Sequence, residues 1–261
     1  MRRGPFLFLF AVSGAAALIY EVVWTRLLTL QMGHGMAAAS TVLAAFMGGL
    51  AVGAAVAGRR GGRLSPQRAL TVYAGLELAI GVLALLLPVA LTAVRPLLVG
   101  AYADGEGGTS FAFLRLATSV LLLAAPAAAM GATFPIASRW MVRGALSAAR
   151  DAGGLYAANT LGAAAGAVLA GFVLIPALGL SGATWIGVAL NITAAAGAFA
   201  IARSSSHVET TDSTKGRTLV PATRIASARP RRKPRPSVLS SDRKPGRGLP
   251  RSPWAHPGLR R

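Results

Sequence analysis

The chain has 261 residues, of which 54% are hydrophobic, and a formal net charge of +19. It contains no cysteine, which excludes disulfide bonds, thiolate metal sites and cysteine nucleophiles. The charge is unevenly divided: residues 1–202 carry twelve arginines and five acidic residues, whereas residues 203–261 carry fifteen lysines and arginines and three acidic residues. This shift in composition predicts a domain boundary near residue 203.

Six apolar segments follow one another before that boundary. They are residues 6–30, 37–57, 69–94, 116–137, 155–178 and 183–202. Each has the length of about 20 residues that a helix needs to cross about 30 Å of hydrocarbon. The connections are short, so neighbouring helices should run antiparallel. The sequence therefore predicts an all-α integral membrane protein, with a six-helix bundle over residues 1–202.

The arginines are sorted among the connections between these segments. Two of them, Arg2 and Arg3, precede the first segment, and further groups lie at residues 59–68 and 139–150. The alternate connection at residues 31–36 has no lysine or arginine. An excess of positive residues on alternate sides is typical of cytoplasmic loops. We therefore expect a multi-pass protein of the cell (inner) membrane, with both termini in the cytoplasm.

Two rows of small residues predict close helix packing. Gly49 and Gly53 are four residues apart in the second segment, and Gly162 and Gly166 repeat this spacing in the fifth. Small residues at this spacing allow helix backbones to approach each other within a bilayer.

Three charged residues lie inside apolar segments, where a charge is costly and therefore a functional candidate. They are Glu21 and Arg26 in the first segment and Glu77 in the third. Two carboxylates at different depths favour a path for a cation, while the alternative is structural hydrogen bonding between helices. A separation of five residues places Glu21 and Arg26 about 140° apart around one helix, so each should find its partner elsewhere.

Uncharged polar and aromatic residues complete the candidates. Asn159 and Asn191 are expected to form hydrogen bonds between helices, with Asn159 a candidate for substrate binding. Tyr20 and Trp24 share a helix face and are interpreted as part of an interfacial aromatic belt. No spacing of histidines or acidic residues indicates a metal site or a cofactor, and His34 is expected to be a solvated turn residue.

Residues 203–261 are rich in serine, arginine and proline and have almost no apolar periodicity. A segment of this composition buries too little apolar surface to offset the entropy of ordering, so we predict a disordered cytoplasmic tail. Its positive charge should favour anionic lipid headgroups of the bilayer. Trp254 is its only aromatic residue, which does not favour nucleic-acid binding.

Several stretches, taken together and in this order, resemble the membrane region of the fused major-facilitator/spermidine-synthase-like proteins of bacteria. They include residues 19–28, 40–53, 130–135, 155–163 and 171–179, with the sequences IYEVVWTRLL, STVLAAFMGGLAVG, MGATFP, LYAANTLGA and GFVLIPALG. The resemblance covers roughly residues 6–200. It implies a bundle similar to half of a major-facilitator fold.

The same family carries an aminopropyltransferase-like Rossmann domain, but no glycine-rich turn of that kind follows here. Enzyme activity is therefore not expected of this chain. One hypothesis is a non-catalytic membrane module that anchors a soluble aminopropyltransferase-like partner. A second is a half-transporter for a polyamine or other cation, working as a homodimer with Glu21 and Glu77 facing the solute. A third is a truncated or frame-shifted product.

Overall fold

A computed structural model describes residues 3–32, 36–102, 108–142 and 144–217 of the chain. Every element in these ranges is a helix. The helices are α1 (Arg3–Met32), α2 (Met36–Gly61), α3 (Pro66–Ala101), α4 (Thr109–Met141), α5 (Ala148–Leu169) and α6 (Ile175–Arg217), with a π-helical turn at Ala170–Leu174 between α5 and α6. His34 lies outside the described residues.

Among the described residues, five helical segments are long and apolar enough to cross a membrane. The fifth of them runs from Ala148 to Ser204 and contains both of the last two predicted spans. Its backbone leaves the helical conformation at Gly179, where φ is 69°. That value lies in the left-handed region, which glycine enters without the clash that a Cβ would cause. The predicted all-helical fold is therefore confirmed for the described residues, and the helices have lengths and compositions compatible with membrane spans.

The end of α6 corrects the predicted start of the tail. The predicted disordered tail begins at residue 203, whereas α6 continues to Arg217. Extending an existing helix gains one hydrogen bond for each residue that is fixed, so a weakly apolar stretch can follow a strongly apolar one. The rest of the predicted tail, residues 218–261, lies outside the described residues, and its binding to lipid headgroups stays a prediction.

The helices pack in two equivalent sets. Helix α1 packs against α5 and α6, while α4 packs against α2 and α3, and α3 also contacts α6. Suppose that α1 corresponds to α4, α2 to α5 and α3 to α6. The α1–α5 contact then corresponds to the α4–α2 contact, and the α1–α6 contact corresponds to the α4–α3 contact. This exchange is the contact pattern expected of two three-helix repeats.

The closest helix contacts repeat this relationship at the level of single residues. A Cβ built on Gly53 in α2 would overlap the carbonyl oxygen of Ala128 in α4, and one built on Gly131 would overlap that of Leu50. In the other set, Gly162 faces the carbonyl oxygen of Ala11, and Gly14 faces that of Asn159. All four contacts require a residue without a side chain. Gly49 and Gly166 continue the same two interfaces, against Ala127 and Ala15.

Two buried apolar clusters fill the bundle at different heights. One contains Trp24, Phe46 and Leu91, and the other contains Phe6 and Trp140. Between them, four helices contribute one buried polar residue each: Ser13 in α1, Glu77 in α3, Thr133 in α4 and Asn191 in α6. We call these four residues the polar layer. The polar layer lies between the two apolar clusters and places hydrogen-bonding groups there.

Candidate functional site

Glu77 is the centre of a hydrogen-bond network within the polar layer. Its side chain is fully buried, and each carboxylate oxygen accepts one hydrogen bond. Ser13 Oγ donates to Oε1 at 2.6 Å, and Asn191 Nδ2 donates to Oε2 at 2.6 Å. Tyr20 donates from its hydroxyl to Asn191 Oδ1 at 2.7 Å. The network therefore connects α1, α3 and α6 through three side-chain hydrogen bonds.

The chemistry of the Asn191 amide determines the direction of its two hydrogen bonds. Since Asn191 accepts through its oxygen, its nitrogen must donate, and it donates to Glu77. The hydroxyl of Tyr73, one helical turn before Glu77, lies near the Ser13–Glu77 pair but forms no hydrogen bond of regular geometry. The donors that hold Glu77 are uncharged, so this carboxylate has the environment of a structural connection between helices rather than that of an ion pair.

A central cavity of about 680 Å³ lies beside the network. Its walls come mainly from α1, α2, α4 and α5, while α3 contributes Ile80 and α6 contributes Asn191. The polar residues that line it are Ser13, Glu21, Thr133, Tyr156, Asn159, Thr160 and Asn191. Ser13 and Asn191 thus face the cavity and also bond to Glu77, which itself does not line it.

The mouth of the central cavity lies between α2 and α5. The lining residues Phe46 and Met130 are buried, whereas Met47 on α2 is 57% exposed and Tyr156 on α5 is 65% exposed. Thr160, one turn after Tyr156, is also exposed. Since these residues lie near the middle of their helices, the cavity opens through the side of the bundle rather than at its ends.

Glu21 is the one charged residue among those that line the central cavity. Its side chain is half-buried, and within the described residues it makes no hydrogen bond and no ion pair. It also borders a second, shallower cavity of about 550 Å³, which Arg26 shares. Arg26 is exposed and does not pair with Glu21. Glu21 thus lines both cavities, and Arg26 lines only the second one. Glu77 lines neither of them.

The aromatic residues near this site differ from the sequence interpretation. Tyr20 and Trp24 are 0% and 1% exposed, not at the surface of the bundle. Their rings stack at a centroid distance of 5.3 Å, and Trp24 also contacts Phe46 edge-on at 6.4 Å. The interpretation as an aromatic belt is therefore wrong. The shared helix face was predicted, but it faces the core, where the Tyr20 hydroxyl finds its partner in Asn191.

Sequence reasoning missed Ser13 and Thr133 as parts of the site. Both are small hydroxyl residues in apolar helices, where such a residue can also satisfy itself by bonding to the preceding turn. Thr133 does so, donating to the Met130 carbonyl at 2.7 Å. The spacing of Ser13 and Tyr20, two helical turns apart, was the available signal, since it places both hydroxyls on one face of α1.

Helices of membrane-spanning length and apolar composition indicate a helical membrane protein. No family model, curated protein or solved structure matches it. Within the described residues, no group of three or more histidine or acidic side chains could hold a metal ion. Function is therefore inferred from the geometry of the cavity.

Proposed function

We propose that the chain is a membrane module that binds a small organic cation in its central cavity, with Glu21 as the counter-charge. The observation that supports this proposal is the unpaired carboxylate of Glu21 in a cavity whose other lining residues are uncharged. A charge inside an apolar helix bundle is costly without a partner. A bound cation would supply the partner that the described residues do not.

The remaining lining groups suit an ammonium group. Asn159 can accept hydrogen bonds through its side-chain oxygen, and Thr160 through its hydroxyl. Such groups orient a ligand without adding charge, and apolar residues such as Phe46 and Leu50 line the rest of the cavity. The resemblance to spermidine-synthase-like proteins favours polyamines among the organic cations, so putrescine and spermidine are the first probes.

We propose that the module acts as half of a transporter in the cell (inner) membrane. It would cross the membrane six times, with both termini in the cytoplasm. The last apolar segment has 57 residues. A continuous helix of that length would extend about 85 Å, which is far more than one crossing needs. The break at Gly179 is where we place the turn between the fifth and sixth crossings. Two repeats of opposite orientation, with a site between them, are a common design among secondary transporters.

Uptake by proteoliposomes tests the proposed function. We expect the purified chain to accumulate radiolabelled putrescine or spermidine, and Glu21→Gln to abolish uptake without loss of folded protein, because no described residue depends on the Glu21 carboxylate. Glu106→Gln removes one negative charge from the connection after α3 and serves as the matched control. Absence of uptake by the wild-type chain, together with unchanged binding in Glu21→Gln, would reject transport and leave the anchoring hypothesis.

A homodimer would cover the side opening of the cavity, and the cysteine-free chain allows a direct measurement. We expect copies carrying Met47→Cys to cross-link to copies carrying Thr160→Cys, because these residues lie on the two sides of the mouth. Leu121→Cys on α4 and Val89→Cys on α3, which are 75% and 66% exposed away from the mouth, are the controls. Equal cross-linking at all four positions would show random collisions and contradict a dimer at this face.

A further inference from the structure

The second cavity is a groove between α1 and the π-helical turn. A stripe of α1 residues forms its base, namely Leu18, Val22, Thr25 and Thr29, while Gly171 and Ile175 form the opposite wall. The spacing of three and four residues along the stripe is that of one helix face. The π-helical turn at Ala170–Leu174 contributes Gly171, whose Cβ position meets no atom within 4 Å. We call this cavity the outer groove.

Opposite charges border the outer groove on its two edges. Glu21 and Arg26 flank the central stripe, and a separation of five residues places them about 140° apart around α1 and about 7.5 Å apart along its axis. Within the part of the chain that the structure describes, neither side chain makes a hydrogen bond or an ion pair. The groove thus presents an unpaired carboxylate and an unpaired guanidinium that do not neutralise each other.

We propose that the outer groove binds a small amphoteric molecule, with its ammonium group at Glu21 and its carboxylate at Arg26. The guanidinium group matches the planar geometry of a carboxylate and can donate two parallel hydrogen bonds to it. This inference rests on the proposed function, because Glu21 lines both cavities. It assigns to the outer groove a ligand class of its own, an amine that also carries an acidic group.

The order of the two charges along α1 favours a soluble ligand over a lipid headgroup. Arg26 lies six residues from the end of α1 at Met32, and Glu21 lies eleven residues from it. The acidic group of the ligand must therefore lie nearer the membrane surface than its ammonium group. A phosphatidylethanolamine molecule in the adjacent leaflet has the reverse order, with the phosphate deeper than the ammonium. A soluble amino acid can enter with its ammonium group first.

Binding to the full chain in lipid nanodiscs tests the assignment with three ligands of equal chain length. They are δ-aminovalerate, which has both charges, cadaverine, which has two ammonium groups, and valerate, which has only the carboxylate. We expect δ-aminovalerate to bind most tightly. Arg26→Gln should weaken it by at least about tenfold, the equivalent of one lost ionic contact, while cadaverine binding changes by less than about twofold. Glu21→Gln should weaken both amines.

The outcomes separate the two proposals. If cadaverine binds in a Glu21-dependent manner but δ-aminovalerate binds no better and ignores Arg26→Gln, the amphoteric ligand is wrong and the cation site stands. If neither amine binds the wild-type chain, the cation site itself fails, and the inference fails with it. If δ-aminovalerate binds in phosphatidylglycerol discs but is displaced by added phosphatidylethanolamine, the groove is a lipid site, which overturns the assignment to a soluble ligand.

A steric variant gives an independent readout that does not alter either charge. Gly171→Phe should fill the outer groove, because open space surrounds the Cβ position, and should abolish δ-aminovalerate binding. Gly75→Phe in α3 is the matched control, since its Cβ position is equally open and it lines neither cavity. Unchanged binding in a folded Gly171→Phe variant would show that the ligand lies elsewhere.

Discussion

Replacing Glu77 with leucine is expected to destabilise the protein strongly. The substitution leaves two buried donors without an acceptor, the Ser13 hydroxyl and the Asn191 amide. Each unsatisfied donor costs about 1–3 kcal/mol, so the two together cost about 2–6 kcal/mol. At roughly 2–4 °C per kcal/mol for a chain of this size, the melting temperature should fall by roughly 4–24 °C. Thermal unfolding of the purified protein in detergent, followed by the fluorescence of its tryptophans, measures this effect.

Glu77→Gln provides the control for that prediction. The glutamine oxygen can still accept from Asn191, and the Ser13 hydroxyl can rotate to accept from the new amide nitrogen. We therefore expect the melting temperature of Glu77→Gln to stay close to that of the wild type. A leucine variant as stable as the glutamine variant would contradict the network, while a strongly destabilised glutamine variant would show that the negative charge itself is required.

Gly53→Leu and Gly162→Leu are expected to prevent assembly of the bundle. At both positions the added Cβ would overlap a backbone carbonyl oxygen, of Ala128 in α4 and of Ala11 in α1. A flexible side chain could move aside, but a helix backbone cannot do so without separating the two helices. We expect loss of the monodisperse peak in size-exclusion chromatography for each variant, and a similar loss for the two because their contacts are related by the internal repeat.

Matched leucine substitutions test whether this loss comes from the close contact. Gly48 and Gly75 lie in helices α2 and α3 with open space around the Cβ position. Gly48→Leu and Gly75→Leu should therefore elute as the wild type does. If all four leucine variants elute alike, the close helix contacts do not hold the bundle together. If only one of the Gly53 and Gly162 variants fails, the two interfaces are not equivalent.

The sequence predicts the helices well because the length of an apolar span depends on the bilayer alone. An apolar run must cover the hydrocarbon, whichever helix it contacts. The glycine rows were also visible, since a spacing of four residues defines one helix face without reference to the partner. The partner was not visible: nothing in the sequence pairs Gly53 with Ala128 rather than with any other small residue.

The candidate site was less predictable, since its members come from distant parts of the chain. The Glu77 carboxylate and the Asn191 amide are 114 residues apart in sequence and become neighbours only when α3 packs against α6. The same packing gives the Glu77 carboxylate two hydrogen-bond donors, whereas Glu21 has no partner among the described residues, although both are glutamates in apolar segments. For Tyr20 and Trp24, the sequence correctly places both side chains on one helix face, but it does not show that this face is buried in the core.

Equilibrium binding of radiolabelled putrescine to the purified chain in nanodiscs is the most direct test of the Glu21 site. We predict saturable binding by the wild-type chain, a loss of at least about tenfold in affinity for Glu21→Gln, and near wild-type affinity for Glu77→Gln. Wild-type affinity in a folded Glu21→Gln variant would contradict the account, because the unpaired carboxylate would then have no part in holding the cation.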